Sequence, residues 1–183
     1  LTDTDAMYGV IPFYKAAKAK GIKPIIGLYV HIAPDFRHQK RARIDKRAWR
    51  MVLLAENITG YKNLLKLSSL GFLEGFYYTA RIDDELLEKY HEGLIALSGG
   101  AGGEIPTLLS EGNGEKARTR AGYYSKLFGE DNFFIELVHR PDNVGEIQSN
   151  NALVLLAGDL KLPFVATSNA SYIHPEDHEA WEA

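Results

Sequence analysis

Residues able to do chemistry collect where apolar runs end. Asp3, Thr4 and Asp5 follow Leu1-Thr2. Tyr29 and His31 fall late in the run from Lys23 to Ala33. A glycine-rich turn, Gly99 to Gly103, follows Gly93–Ser98. Glu136, His139 and Arg140 lie in and after Asn132–Val138, and Ser168, Asn169 and Ser171 follow Leu162–Thr167. In folds with parallel strands, the carboxyl ends gather such residues around one mouth. Acids and histidines there would suit a metallophosphoesterase, in which two or three divalent ions acidify water and neutralise phosphate charge. The donors on offer are Asp3, Asp5, Glu136 and one or two histidines, and Thr, Tyr, Gly, Arg, Asn and Ser fill the other positions. Arg140 adds a cationic charge that opposes cation binding nearby.

Each polar residue also has a structural reading. Asp3 or Thr4 suits a loop or helix cap. His31 beside a buried strand suits a satisfied polar group, and His139 a surface residue or hydrogen-bonded orienter. Glu136, inside an apolar strand, needs a partner, for which Arg140 is the candidate. Backbone amides of the glycine turn could cradle an anion. The turn matches neither a Walker loop nor the dinucleotide fingerprint, and a tight strand-to-helix connection explains the glycines equally well.

The elements that would position these residues alternate. Helices are expected at Val10–Lys20, after Asn57 or Thr59, from Asp83 to Lys89, at Pro106–Glu111, Glu115–Phe128 and Val144–Leu160, and from Pro175 onward. Gly71 and Gly75 are expected to break up the second. Strands are expected at Leu1-Thr2, Lys23–Ala33, Trp49–Ala55, Phe76–Ile82, Gly93–Ser98, Asn132–Val138 and Leu162–Thr167. The alternation predicts a parallel α/β sheet covered by helices and closed into a barrel. One charge run interrupts it: seven of the 21 Lys and Arg residues lie between Arg37 and Arg50. With no aromatics interleaved to stack bases, a solvated, mobile loop is the preferred reading over a nucleic-acid patch.

The 183 residues suffice for one domain with a real core. A hydrophobic share of 45%, a charged share of 25% and a net charge of −3 are ordinary for a globular protein, and bulk charge gives no reason to expect nucleic acid. With no cysteine there are no disulfides or Cys-ligated metals, which fits a cytoplasmic protein. No apolar run is long enough to span a bilayer, so no membrane partner is expected.

Several stretches, in order, resemble the PHP (polymerase and histidinol phosphatase) domain at the amino end of bacterial DNA polymerase III alpha subunits. They are Leu1-Thr-Asp3 with Tyr8-Gly9, Phe13–Ala17, Gly21–Gly27, Val52–Ala55 with Gly60–Leu64, Glu92–Ser98 with Gly102–Ile105, Phe134–Leu137, and Leu162–Thr167 with Tyr172. The resemblance covers nearly the whole chain. It implies a distorted seven-stranded βα (TIM-like) barrel over residues 1–183, lacking its first strand, with the polymerase domains beyond residue 183. It implies DNA replication as the setting. Family members with an intact site bind two or three metals, usually zinc or manganese, and hydrolyse phosphoesters; the parent polymerase uses magnesium.

This chain departs from that metal pattern. The family's Thr-Asp-His is Thr2-Asp3-Thr4, the second-strand glutamate falls on Tyr29, and the frequent cysteine falls on Gly100. The histidine after the Glu-Leu strand falls on Arg140, with His139 one place early. The closing Asn-Asp-x-His-Tyr is Ser168-Asn169-Ala170-Ser171-Tyr172. Such erosion resembles the proteobacterial branch of the family. It implies no catalytic residue and no bound metal; any residual ion would use Asp3, Glu136 and His139. The expected role is a scaffold joined to the remainder of the alpha chain, docking the proofreading exonuclease (epsilon) subunit and meeting DNA through the holoenzyme. The alternatives are an active metal-dependent phosphoesterase, either pyrophosphatase or 3'-5' exonuclease, and a stand-alone anion-binding barrel.

Overall fold

A computed structural model describes residues 1–139, 143–168, 170, 172 and 174–177. Over these residues the chain forms strands β1 (Thr2–Thr4), β2 (Gly27–Ile32), β3 (Trp49–Ala55), β4 (Arg81–Ile82), β5 (Leu94–Leu97), β6 (Phe133–Val138) and β7 (Phe164–Thr167). The helices are α1 (Val10–Ala19), α2 (Ile58–Leu73), α3 (Asp84–Tyr90), α4 (Glu104–Ser110), α5 (Gly114–Phe128) and α6 (Val144–Leu160). Helix starts follow side-chain chemistry. Asn57 accepts hydrogen bonds from the Thr59 and Gly60 amides, and Asp83 accepts one from Leu86. Contrary to expectation, α2 runs unbroken through Gly71, which packs toward Ile82 of β4 and Ala80 just before it. The expected helix from Pro175 is a single 3-10 turn, Pro175–Asp177, within the described residues.

The strands make one seven-stranded sheet in the order β1-β2-β3-β5-β6-β7, with β4 also paired to β2. Because β3 holds one edge of β2 throughout, β1 and β4 share the other edge, β1 at Gly27–Tyr29 and β4 at His31–Ile32. The expected all-parallel sheet is corrected at β3, which runs antiparallel to both β2 and β5. The cause is the connection: the stretch from Ala33 to Ala48 contains no crossover helix, so the chain turns straight back. No ladder joins β1 to β7 among the described residues, so the demonstrated architecture is a mixed α/β sheet with helices.

Residues paired in register share a face, and alternate residues face opposite ways. One face carries Leu28, Val30, Met51, Leu53, Ala96, Phe133 and Ile135. It packs against Leu64 and Leu67 of α2, Leu86 and Leu87 of α3, Tyr124 of α5 and Leu153 of α6 to form the main core. The opposite face carries Thr4, Tyr29, Arg50, Val52, Leu97, Glu136, Val138 and Thr167.

The basic segment is a largely exposed loop, as its composition suggested, but it is tied to the fold at Arg37 and Asp45. Arg37 is 7% exposed, and its guanidinium donates to Asp83 (2.9 Å), Glu74 (2.7 Å) and Glu85 (2.8 Å). Arg81 is fully buried and donates to the carbonyls of Gly75 (3.0 Å), Asp45 (2.7 Å), Arg37 (3.0 Å) and Gln39 (2.9 Å). Burial pulls the Arg81 pKa down, while the charge of Asp45 opposes the shift. Hydrogen bonds from Arg41 hold Asp45 at about 2. The loop is thus clamped by charges from β4 and α3 that lie far away in sequence.

Candidate functional site

At the carboxyl ends of β5 and β6 a cavity of about 240 Å3 is lined by Tyr29, Arg50, Gly99, Gly102, Glu136 and Glu146, among others. Three expected site positions meet here: Tyr29, the glycine turn and Glu136. Arg50 and Glu146 join them. The guanidinium of Arg50 lies 5.7 Å from the centre of the Tyr29 ring, within cation–π range. Arg50 reaches the cavity because β3 is reversed, which puts the start of that strand beside the ends of its neighbours.

Glu136 is the central acid. It is 6% exposed, its amide donates to the Ser98 hydroxyl (2.9 Å), and its carboxylate accepts from the Thr167 hydroxyl (2.8 Å). Burial raises its pKa above the ordinary carboxylate value; the Thr167 hydroxyl and the Gly99 and Gly100 amides pull the other way. The glycine-turn amides therefore already serve a carboxyl group of the protein itself. Close packing accounts for the turn's composition. A Cβ on Gly99, whose φ is +85°, would lie 1.9 Å from the Arg50 carbonyl oxygen. One on Gly100 would lie 2.4 Å from Val138 Cγ2, and one on Gly103 1.9 Å from the Ser98 oxygen.

The other positions lie apart. Asp3 pairs in register with Leu28, so it sits on the helix-covered face, opposite Tyr29 and Glu136. Its carboxylate accepts from the Gly9 amide (3.0 Å) and closes the loop before α1. Thr4 is exposed on the same face as Tyr29, its register partner. His139 is exposed beyond the end of β6, and its amide donates to the Thr167 carbonyl (2.8 Å). Arg140, Asn169 and Ser171 lie outside the described residues. Asp5 and His31 do meet, with His31 Nδ1 2.9 Å from both carboxylate oxygens. Among the described residues no group of three or more His, Asp and Glu side chains is placed to hold a metal ion. Asp3, Glu136 and His139 do not converge, so this donor set does not fit a dinuclear centre.

Arg50 and Glu146, which line the cavity, and Thr167, which donates to Glu136, are the residues that sequence reasoning missed. Thr167 carried a signal, being the last strand residue before the polar Ser168–Tyr172 segment. Arg50 was hidden in the charge run, and Glu146 in the first turn of a helix.

Among the described residues no helix is long and apolar enough to cross a membrane. The model of the PHP domain family matches residues 1–140. The chain is 42% identical over 181 residues to the DNA polymerase III subunit alpha of Borreliella burgdorferi, covering 98% of this chain and 16% of the relative. It is 41% identical to that of Treponema pallidum over 182 residues, covering 98% and 15%. It is 40% identical to that of Deinococcus radiodurans over 187 residues, covering 100% and 14%. The chain therefore spans only 14–16% of the length of these curated relatives. A match running through both the strand ends and the glycine turn leaves one conclusion: the chain belongs to the PHP domain family.

Proposed function

We propose that the chain is the PHP domain of a replicative DNA polymerase III alpha subunit and serves DNA replication as a non-catalytic scaffold. In this reading it docks the proofreading exonuclease subunit, joins the remainder of the alpha chain, and meets DNA only through the assembled enzyme in the cytoplasm. The observation that carries it is the engagement of Glu136. Its carboxylate takes hydrogen bonds from Thr167 and the glycine turn, where a phosphoesterase would need a ligand free for metal. Zinc, manganese and magnesium then have no role in this segment.

The sheet is read as most of a distorted barrel. Val52, Leu97 and Val138 are buried yet lie on the face turned away from the main core, as a sheet curling over its own inner side would place them. The test is to dialyse the full-length protein against zinc or manganese, measure bound metal by elemental analysis, and assay phosphoester hydrolysis. Protein without stoichiometric transition metal, inactive as a phosphoesterase and retaining the exonuclease on co-purification, is the expected result. Tightly held ions with turnover that Glu136→Gln abolishes would overturn it.

A further inference from the structure

A second cavity lies away from the mouth. It is a groove of about 380 Å3 between α1 and α2, walled by Ile11 and Tyr14 on one side and Ile58 and Tyr61 on the other, with Ile26 and Ala55 at its floor. Ala55 and Ile26 stand at the rim of the sheet opposite Glu136, since β3 ends where β2 begins. The walls are unusually open for apolar side chains: Ile11 is 54% exposed, Tyr14 46% and Ile58 66%. Leu65 of α2, and Ile22 and Ile25 in the connection from α1 to β2, add exposed apolar surface.

Charge around the groove is mostly positive, although the one charged residue in its lining is Glu56. Between Ala6 and Pro34, and again between Asn57 and Leu73, there is no aspartate or glutamate, whereas the two segments hold six lysines: 15, 18, 20, 23, 62 and 66. The whole chain carries −3, so this is a local reversal. Helical spacing repeats one layout on both walls. Ile11, Tyr14, Lys15 and Lys18 share a face of α1, and Ile58, Tyr61, Lys62 and Leu65 share a face of α2. Lys18 Nζ sits 5.8 Å from the Tyr14 ring centre, so its charge borders the apolar wall. An apolar trough edged by cations matches a segment that presents apolar side chains flanked by acids.

We propose that the groove between α1 and α2 is a docking site for an acidic, amphipathic segment of a partner protein. Apolar residues of that segment fill the trough over Ile26 and Ala55, and its carboxylates face Lys15, Lys18 and Lys62. The site is separate from the mouth and stands whether or not the mouth binds metal, and whichever subunit supplies the segment.

The test uses the full-length protein and a fluorescent designed helix with leucine at i, i+3, i+4 and i+7 and glutamate on its flanks. Two controls carry lysine for glutamate, or the same residues scrambled. Saturable binding of the leucine–glutamate helix is expected, weakening with salt, and weakened about tenfold or more by Ile58→Asp and by Lys62→Glu. Both positions are exposed; an unchanged thermal midpoint confirms folding, and Lys62→Glu alone decides if Ile58→Asp unfolds. Absence of saturable binding overturns the proposal, including the case where another part of the same polypeptide already fills the groove. Equal binding of either control helix, or affinity unchanged by the substitutions, also overturns it.

Discussion

Replacing Arg81 with methionine would remove the donor that ties four backbone carbonyls together: Gly75, Asp45, Arg37 and Gln39. Hydrogen bonds from a charged donor contribute roughly 1.5–3 kcal/mol each, so the gross loss is on the order of 6–12 kcal/mol. Against this stands the relief of desolvation, several kcal/mol for a buried ion. Methionine also fills much of the space left by the arginine stem. The net cost is therefore about 3–5 kcal/mol, the range seen when a buried charge network loses one member. For a chain of this length that lowers the thermal midpoint by roughly 10 °C. Urea unfolding followed by circular dichroism measures the free energy. Limited trypsin digestion gives a local readout, because release of the loop frees its backbone for cleavage after the already exposed Lys40, Arg41, Arg43, Lys46 and Arg47. Arg81→Lys should recover less than half the loss, since an ammonium has three donors and lacks the planar fork. A loss below about 1 kcal/mol with trypsin resistance intact, or a lysine variant equal to the parent, would refute the clamp.

Other perturbations probe the mouth. Burial raises the Glu136 pKa, so folding favours the protonated acid: the contribution is full below the ordinary carboxylate range and is lost as pH rises through the folded value. Glu136→Gln should therefore flatten the decline in stability as pH rises above the ordinary carboxylate range, read as urea midpoints; a profile parallel to the parent's would contradict it. Gly99→Ala combines a φ of +85° with a Cβ placed 1.9 Å from the Arg50 carbonyl oxygen, and should cost on the order of 2–4 kcal/mol. Gly112→Ala, at φ +75° with nothing near its Cβ, should lose only the backbone-strain share, about 1–2 kcal/mol; equal losses would mean that the approach of β3 is not what requires glycine at 99.

Much of the fold was legible because local signals were strong. Periodicity marked α1, α5 and α6, and Asn57 and Asp83 announced the starts of α2 and α3 through cap chemistry. The apolar runs marked β3 and β6. The reversed direction of β3 was harder to read, since the stretch from Ala33 to Ala48 is long enough to hold a crossover and only its lack of helical period argued against one. The fate of the basic loop was out of reach. Nothing near Arg37 in sequence reveals that its partner Asp83 lies 46 residues away. The mouth was legible in part: residue types singled out Tyr29, the glycine turn and Glu136, but placing Asp3 on the other face required the register with Leu28. Arg50 was missed for the same reason as the strand direction that delivers it.

One reversed strand has a further consequence for traffic around the molecule. Within β3, Arg50 lies at the polar cavity and Ala55 at the trough, a span of about 16 Å along backbone paired to β2 and, from Val52 onward, to β5 as well. A segment seated in the proposed trough would therefore leave the cavity at the other end clear. The strand joining the two sites is held by the β2 ladder along nearly all its length and by the β5 ladder over its second half.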